Sequence, residues 1–349
     1  MLLHLYTRNK LNFTRQGESY LIAKTNERHT QPMKIIFLDG YTINPGDLSW
    51  DLLDCCGDLT VYDRTAPHEV MERAVDADIL IVNKTPLTRE HFEALPNLKL
   101  VCVAATGYDK IDIAAARQHG IHVCNCAGYS SQAVAQMAVA LILEVADSVG
   151  NYSWRNREGD WSRSTDFCYT TKPRLELAGK TLGIVGFGNI GEAIARIMQA
   201  MGMHIVAVSS KSADQLPQGV TKVSLAEAFA QCDIISLNCP LNAENKEFVN
   251  ASLLAKSNPN LILVNTARGG LINEKDVANA LHNNQLLAYC ADVMTQEPPA
   301  PDNELLLAPR TFITPHIAWN TPEARQRILH ILNDNIESFK TGKPKNVVN

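Results

Sequence analysis

The stretch that decides the fold of this chain is Leu182-Gly183-Ile184-Val185-Gly186-Phe187-Gly188-Asn189-Ile190-Gly191. An apolar run over residues 181–185 is typical of a buried parallel strand, and a helical pattern begins directly after the last glycine. A strand, a G-x-G-x-x-G turn and a helix in this order bind the pyrophosphate of a dinucleotide. The sequence therefore predicts a dinucleotide-binding unit centred on this turn.

Each residue of the turn has a physical task. Gly186 permits the tight turn, Gly188 allows the backbone to approach a pyrophosphate, and Gly191 allows the helix to pack against the strand. Asn189 and Ile190 lie in the first helical turn, where backbone N–H groups and the helix dipole favour phosphate. We therefore expect all five residues to contact the cofactor.

Composition limits the class of protein. The 349 residues are enough for two domains with sizeable cores. A net charge of −5 gives no reason to expect nucleic acid or an anionic membrane as a partner. Among the nine cysteines, Cys124 and Cys126 lack the second pair that a zinc site needs. We expect no metal site, and reduced thiols in a cytoplasmic protein.

Residues 1–32 differ from the rest of the chain. They are polar and net basic, with no sustained periodicity and no apolar core long enough for a secretory signal. An organellar presequence is one alternative. We favour a poorly structured N-terminal extension, with the fold beginning at Met33.

Strands and helices alternate along the first third of the chain, which predicts a parallel sheet with helices on both faces. The predicted strands are Lys34–Leu38, Leu59–Tyr62, Ile79–Val82, Leu100–Val103 and Ile121–Cys124, and the predicted helices lie near Pro67–Val75, Thr88–Leu95 and Ile111–His119.

A second α/β unit follows a long helix. Residues 130–149 predict one apolar helix that polar residues interrupt, so we expect a buried connecting helix and not a membrane span. Residues 154–174 show no period and predict either a surface loop or an arm that reaches a partner subunit. The predicted strands of the second unit are Thr181–Val185, Ile205–Val208, Ile234–Leu237, Leu261–Asn265, Ala288–Asp292 and Phe312–Thr314.

The last helix, over residues 322–339, is expected to return to the first unit and to precede a tail over 341–349. The predicted fold is α/β, with two doubly wound, Rossmann-like parallel-sheet domains and a cleft between them. Residues 33–126 with 320–349 are predicted to form a discontinuous substrate-binding domain, and residues 127–319 the dinucleotide-binding domain.

Three chemically useful side chains follow successive strands of the second unit. Arg268 comes after 261–265, Glu297 after 288–292 and His316 after 312–314. Ligands of open α/β sheets bind beyond the carboxyl ends of the strands, so we expect these residues near the nucleotide.

These residue types fit reduction of a carbonyl. A nicotinamide transfers a hydride but no proton, and His316 is a natural proton donor near neutral pH. A carboxylate such as Glu297 favours the imidazolium and orients the ring. Arg268 can hold and polarise a carboxylate or carbonyl oxygen in a forked geometry.

Several motifs resemble those of the D-isomer-specific 2-hydroxyacid dehydrogenase family over residues 33–349. They are Gly186–Gly191, Asn238–Leu241, Asn265–Gly269, Asp292-Val293 with Glu297-Pro298, and Pro315–Ala318. Three further features resemble the glycerate dehydrogenase and hydroxypyruvate reductase branch. They are Trp161–Ser164, Trp319 and the ending Lys345–Asn349.

The resemblance implies roles for residues that match these motifs. The catalytic trio is implied to be Arg268, Glu297 and His316. The implied cofactor-contacting residues are Cys239, Pro240, Thr266, Ala267 and Asp292. The implied substrate-binding residues are Thr106 and Gly107, through backbone amides, and Lys84, for which a solvated loop position is the alternative.

The end of the predicted strand 205–208 bears on the choice of cofactor. An NAD-preferring fold of this type usually has Asp or Glu there to bind the ribose 2′-OH, but this chain has Ser209-Ser210-Lys211. Two hydroxyls and a Lys are able to hydrogen-bond and neutralise a 2′-phosphate. We therefore expect NADP(H) or NAD(H), with a slight preference for NADP(H); a plain polar turn in an NAD enzyme is the alternative.

The expected function is hydride transfer between NAD(P)(H) and a small D-2-hydroxy acid or 2-keto acid, such as D-glycerate with hydroxypyruvate, or glyoxylate. The alternatives are a phosphoglycerate dehydrogenase-like enzyme and a non-catalytic nucleotide-sensing protein on the same fold. Formate dehydrogenase is disfavoured, because hydride transfer from formate needs no acid–base pair. The resemblance implies a homodimer, with residues 130–174 as the candidate contact.

Overall fold

The structure is a computed structural model that describes residues 32–349. The predicted N-terminal extension therefore lies, apart from Pro32, outside the described residues. The described chain contains two parallel β-sheets, and each predicted strand agrees with an observed strand to within one residue at either end.

The first sheet has five strands in the order β2-β1-β3-β4-β5, and all neighbours are parallel. The strands are β1 Lys34–Phe37, β2 Asp58–Val61, β3 Ile79–Val82, β4 Leu100–Val103 and β5 His122–Asn125. The central strands β3 and β4 are apolar and fully buried, as expected for parallel strands covered on both faces. The helices that connect these strands are α1 Asp51–Asp54, α2 Val70–Ala74, α3 Arg89–Ala94 and α4 Ile113–Gln118.

The second sheet has seven parallel strands in the order β12-β11-β10-β9-β6-β7-β8. The strands are β6 Thr181–Val185, β7 His204–Val208, β8 Val220–Lys222, β9 Ile234–Leu237, β10 Ile262–Asn265, β11 Ala288–Ala291 and β12 Thr311–Ile313. The sequence prediction missed β8. This three-residue edge strand has two exposed positions, so it lacks the apolar run that identifies a buried strand.

Helices cover both faces of the second sheet. They are α5 Ser131–Asp147, α6 Val149–Arg157, α7 Asn189–Ala200, α8 Leu225–Gln231, α9 Ala251–Leu254, α10 Glu274–His282 and α11 Glu304–Leu307, and α12 Pro322–Lys340 follows the last strand. One hydrophobic cluster joins α5 and α7 to the sheet, and a second joins α8 and α10 to its other face. The predicted class of two Rossmann-like α/β sheets is confirmed.

The long helix predicted over 130–149 was wrong at its end. Ser148 adopts a left-handed conformation with φ 53°, which ends α5 at Asp147 and starts α6 in a new direction. The helix α6 includes Trp154–Arg157, which belonged to the stretch predicted to lack regular structure. Within residues 32–349, no single helix has the length and apolar character to span a membrane, although α5 and α6 pass that test as a pair bent by 58°.

The helix α12 follows the second sheet but packs on the first. Ala324, Ile328, Leu332 and Ile336 are fully buried in the hydrophobic cluster that contains residues of β1, β3 and β4. The tail then adds an antiparallel bridge between Val347 and Cys124 at the β5 edge. The first sheet, α12 and the tail therefore pack together. The domain boundaries themselves stay a prediction.

Candidate active site

The order of the second sheet brings three loops together. Strands β10, β11 and β12 are neighbours, and Arg268, Glu297 and His316 each follow one of them. Because parallel strands end at the same edge, side chains that are far apart in sequence share one site.

His316 and Glu297 form a hydrogen-bonded pair. Nδ1 of His316 lies 2.6 Å from Oε2 of Glu297. The carboxylate is an acceptor only, so Nδ1 carries the proton and donates it. The other ring nitrogen, Nε2, is thereby left to exchange a proton with a substrate.

Glu297 is held as a carboxylate. Burial raises its pKa, but the hydrogen bonds from His316 and from the Met294 amide, at 3.0 Å, together with the charges of His316 and Lys84, outweigh burial and lower the pKa below its ordinary value. The group therefore stays ionised at neutral pH and is able to stabilise an imidazolium.

Asp292 fixes the backbone that carries His316. It is almost fully buried, and its carboxylate accepts hydrogen bonds from the amides of Ile317, at 2.9 Å, and Ala318, at 2.7 Å, and from the Thr314 hydroxyl. His316 itself has a left-handed backbone, φ 55°. The contacts that the structure gives Asp292 are thus with this loop, while its expected contact with the cofactor stays a prediction.

Arg268 reaches from the second sheet to the loop after β4. A Cβ atom built on Gly107 would lie 2.2 Å from Nη2 of Arg268, so a side chain there would displace the guanidinium from its present position. Nη2 also lies 4.0 Å from a carboxylate oxygen of Asp109. Thr106, the other predicted substrate residue, is held through its hydroxyl, which donates to the Cys126 carbonyl at 3.1 Å.

Lys84 lies on the loop after β3 and faces the same charged groups. Its side chain is exposed at the surface, yet the protein surrounding the cleft displaces enough water to lower its pKa. Burial is the largest cause and the charge of Arg268 the next, while Asp109 and Glu297 oppose them. The sites predicted on the two sheets are therefore electrostatically coupled.

Asp39, which the sequence analysis missed, holds the Lys84 loop. Its carboxylate accepts hydrogen bonds from the backbone amides of Asn83, Lys84 and Thr85 at 2.7, 2.6 and 2.8 Å. The signal was present, because Asp39 is a polar residue directly beyond a strand. The prediction from polar residues beyond strand ends covered only the second unit, so it did not include Asp39.

The glycine-rich turn has the geometry that a dinucleotide requires. Gly186 has φ 94°, and a Cβ atom on it would lie 2.5 Å from the Cys239 amide nitrogen. A Cβ atom on Gly191 would lie 2.5 Å from the Gly186 carbonyl oxygen, so a side chain would separate α7 from β6. Gly188 caps α7 and has no atom within 4 Å of a built Cβ, which leaves open space above the helix N-terminus.

A cavity of 680 Å³ opens beside this turn. Its walls include Ser209, Ser210, Lys211, Cys239 and Pro240, all of them predicted cofactor residues. Ile190 and Ala267 are half-buried against the hydrophobic clusters and do not line this cavity, so their expected contact with the cofactor stays a prediction.

Two buried polar atoms at the ends of the neighbouring strands β9 and β10, the first of them on a residue that lines the cavity, have no hydrogen-bond partner among the residues described. They are Oδ1 of Asn238 and Oγ1 of Thr266. Buried polar atoms rarely remain unpaired, so a bound ligand with polar groups is the partner that fits them. The cavity, the glycine turn and these two atoms together fit a nicotinamide dinucleotide.

Comparison with known proteins agrees with this geometry. Residues 139–318 match the family described as "D-isomer specific 2-hydroxyacid dehydrogenase, NAD binding domain". A hydroxypyruvate reductase of Blautia hydrogenotrophica is 43% identical over 91% of this chain and 100% of its own length. A glycerate dehydrogenase of Methylorubrum extorquens is 38% identical over 90% of this chain and 98% of its own.

A solved structure is also similar. An acyclic imino acid reductase in complex with NADPH and D-Arg superimposes with a TM-score of 0.80 at 30% identity, and covers 91% of this chain and 100% of its own. The family and branch expected from the motifs are confirmed. The expected dehydrogenase function fits the comparisons better than the phosphoglycerate dehydrogenase-like enzyme or the nucleotide sensor.

Three features of this site coincide with motifs that a whole family shares. They are the glycine turn with its cavity, the histidine–glutamate pair, and the arginine beside the loop after β4. The chain belongs to the D-isomer-specific 2-hydroxyacid dehydrogenases, nicotinamide-dependent oxidoreductases that act on the CH–OH group of donors.

Proposed function

We propose that this protein reduces hydroxypyruvate, with glyoxylate as a second substrate, and that it oxidises D-glycerate in the reverse direction. The observation that carries the proposal is the pair of cationic side chains near the His316–Glu297 pair, where Arg268 reaches the Gly107 loop and Lys84 lies within the field of Arg268. A small anionic keto acid matches this charge. The names of the two relatives in the glycerate branch support the same substrate.

The proposed roles follow from the contacts. Arg268 and the backbone amides of Thr106 and Gly107 bind and orient the substrate carboxylate. His316 donates its Nε2 proton to the carbonyl oxygen in reduction and accepts it back in oxidation. Glu297 keeps the ring oriented and stabilises its charged form. The bound nicotinamide supplies or accepts the hydride at the 2-carbon.

Initial rates of reduction test this proposal. Hydroxypyruvate, glyoxylate and pyruvate are each offered with NADH and with NADPH. We expect the highest kcat/KM with hydroxypyruvate and the lowest with pyruvate, which has no hydroxyl to contact Lys84. A clear preference for pyruvate would refute the proposed substrate, and cofactor binding without turnover of any of the three would favour a sensor.

We also propose a slight preference for NADP(H). Ser209, Ser210 and Lys211 line the cavity where the ribose would lie, and no acidic residue follows β7 before Lys211. The similar imino acid reductase was solved with NADPH. Dissociation constants for NADPH and NADH measure the preference, and a stronger affinity for NADH would contradict it.

A homodimer through residues 130–174 is a further proposal. Phe167, Trp154 and Trp161 are 91%, 60% and 57% exposed, which is unusual for large apolar side chains. Light scattering coupled to size exclusion should give twice the chain mass. We expect Phe167→Asp to weaken the dimer, whereas Leu307→Asp, on a residue that is 70% exposed on α11, should not. A monomeric wild-type protein would contradict the proposal.

We further propose that residues 33–126 with 320–349 bind the substrate, that residues 127–319 bind the cofactor, and that the protein works in the cytoplasm. All nine cysteines are free thiols, as suits a reducing compartment. Cell fractionation checks the location.

A further inference from the structure

An acidic side chain of α7 contacts Lys211 in the loop after β7. Oε1 of Glu192 lies 2.5 Å from Nζ of Lys211. Glu192 belongs to the first turn of α7, directly after Gly191, and not to the end of β7. The acid that sequence analysis found missing after β7 thus has a counterpart on the neighbouring helix.

Other contacts hold Lys211 in this place. Its ammonium lies 5.7 Å from the centroid of the Phe187 ring, and its backbone amide donates to Oγ of Ser209 at 3.1 Å. Lys222 donates to the Lys211 carbonyl at 2.6 Å. Lys211 is therefore held in position on the wall of the cavity, and its positive charge is already paired with Glu192.

The pairing matters for a cofactor that carries an extra phosphate. In this type of fold, residues beyond the second strand of the nucleotide unit contact the adenosine ribose at its 2′ position. A 2′-phosphate brings a charge of about −2, which Lys211 is placed to neutralise. To pair with Lys211, the phosphate must displace the Glu192 carboxylate from the ammonium or share the ammonium with that carboxylate. The carboxylate of Glu192 also repels the phosphate.

Glu244, an acid that lines this cavity, is a weaker competitor for Lys211 than Glu192. It lines the wall formed by the loop after β9 and makes no ion pair with Lys211 in the described chain. Its backbone amide donates to Oδ1 of Asn242 at 2.9 Å. Glu192 alone therefore combines contact with Lys211 and a place at the phosphate end of α7.

We propose that Glu192 is a specificity-determining residue, which weakens the binding of the 2′-phosphate by competing for Lys211 and so keeps NADH usable beside NADPH. The proposal rests on the proposed position of the ribose beside residues 209–211. It concerns the ratio of the two affinities, whichever cofactor the wild type prefers.

Cofactor binding measured without a keto acid tests the proposal. Dissociation constants for NADPH and NADH are determined by isothermal titration for the wild type, Glu192→Gln and Lys211→Gln. Glu192→Gln should tighten NADPH about 3- to 10-fold and leave NADH within about twofold, as expected for a partly exposed charge pair. Lys211→Gln should weaken NADPH about tenfold, and the gain from Glu192→Gln should shrink in the double variant.

A matched control removes an acid elsewhere on the same domain. Glu176 is exposed, forms no ion pair within residues 32–349, and precedes β6 at the opposite end of the strand from Gly186. Glu176→Gln should leave both constants unchanged. Thermal unfolding verifies that each variant is folded, and Glu192→Ala replaces Glu192→Gln should the latter not fold.

The outcomes separate this proposal from the proposed cofactor preference. An unchanged affinity ratio in Glu192→Gln, or weaker NADPH binding, overturns the role of Glu192 even where the wild type prefers NADPH. A wild type that prefers NADH, with a Glu192→Gln variant shifted towards NADPH, refutes the preference and supports the role of Glu192.

Discussion

His316 depends on its immediate surroundings for its chemistry. Its left-handed backbone, φ 55°, and the Asp292 contacts at Ile317 and Ala318 set the direction of the ring. The indole of Trp319 adds a hydrogen bond to the His316 carbonyl at 2.9 Å. With Nδ1 engaged by Glu297, only Nε2 is left for the substrate, so the residue has one defined proton-transfer atom.

Replacement of His316 tests that atom. We expect His316→Ala to lower kcat for keto-acid reduction about 10²- to 10⁴-fold, the range of a lost general acid. The dissociation constant of the cofactor should stay within about twofold, because the cavity walls do not include this ring. His330→Ala, an exposed residue on α12, serves as the control. Near-normal turnover of His316→Ala would refute the role.

The pH profile tests Glu297. Its pKa is lowered in the folded protein, so the contacts of its carboxylate are fully present above about pH 4.3 and are lost only as the pH falls further. Between pH 5 and 9, protonation of Glu297 should therefore not limit the rate of reduction, and a fall in rate from this carboxyl group is expected only below about pH 4.3.

Glu297→Gln removes the charge that stabilises the imidazolium. The kcat for keto-acid reduction should then fall about 10- to 100-fold, because the proton donor loses its charged partner. Glu304→Gln, an exposed acid on α11, is the control. A kcat close to that of the wild type would contradict the proposed pairing.

Among the structural elements, the loop after β3 is held by residues that lie beyond another strand. Three amides of residues 83–85 converge on Asp39, which lies beyond β1, and Nδ2 of Asn83 donates to the Thr42 hydroxyl at 2.7 Å. The neighbouring order of β1 and β3 brings these loops together. The position of Lys84 in the cleft is thus set by an adjacent strand end.

Asp39→Asn should disturb this loop. An amide cannot accept from all three N–H groups, so at least one is left unpaired, at a cost of about 1–3 kcal/mol in the free energy of unfolding. We expect KM for hydroxypyruvate to rise about tenfold while the cofactor dissociation constant is unchanged. The exposed Asp63, beyond β2, supplies the control variant Asp63→Asn. An unchanged KM would show that Asp39 has no part in substrate binding.

At the scale of the whole molecule, the chain crosses between the two sheets twice. The helix α5 leaves the first sheet and packs on the second, and α12 returns from the second to the first. Both crossings are made by long helices with buried apolar faces. Each sheet therefore has its own core while the loops of both contribute to one site.

Paired core substitutions test this division. Leu332→Ala in α12 and Leu281→Ala in α10 each remove a fully buried side chain from the core of a different sheet. Each should lower the free energy of unfolding by about 2–5 kcal/mol. Hydrogen exchange should accelerate in β1, β3 and β4 for Leu332→Ala, and in β9 to β11 for Leu281→Ala. Equal acceleration in both sheets would contradict independent cores.

The errors in the sequence prediction have physical causes. The apolar pattern of α5 ends close to Ser148 and α6 has no buried residue, so periodicity could not indicate that a second helix follows this left-handed residue. The edge strand β8 is paired on one side only and carries no buried apolar run. Both features depend on backbone direction, which a pattern of residue types does not record.

The sequence by itself determined the two parallel sheets, the dinucleotide turn and the identity of Arg268, Glu297 and His316, because strand periodicity and glycine spacing are local properties. Only the tertiary structure decided which strand ends are neighbours. That order pairs His316 with Glu297, places Gly107 against Arg268, and joins Glu192 to Lys211. Each of these contacts joins segments that are distant in sequence and that tertiary packing brings together. A local pattern of residues therefore could not predict them.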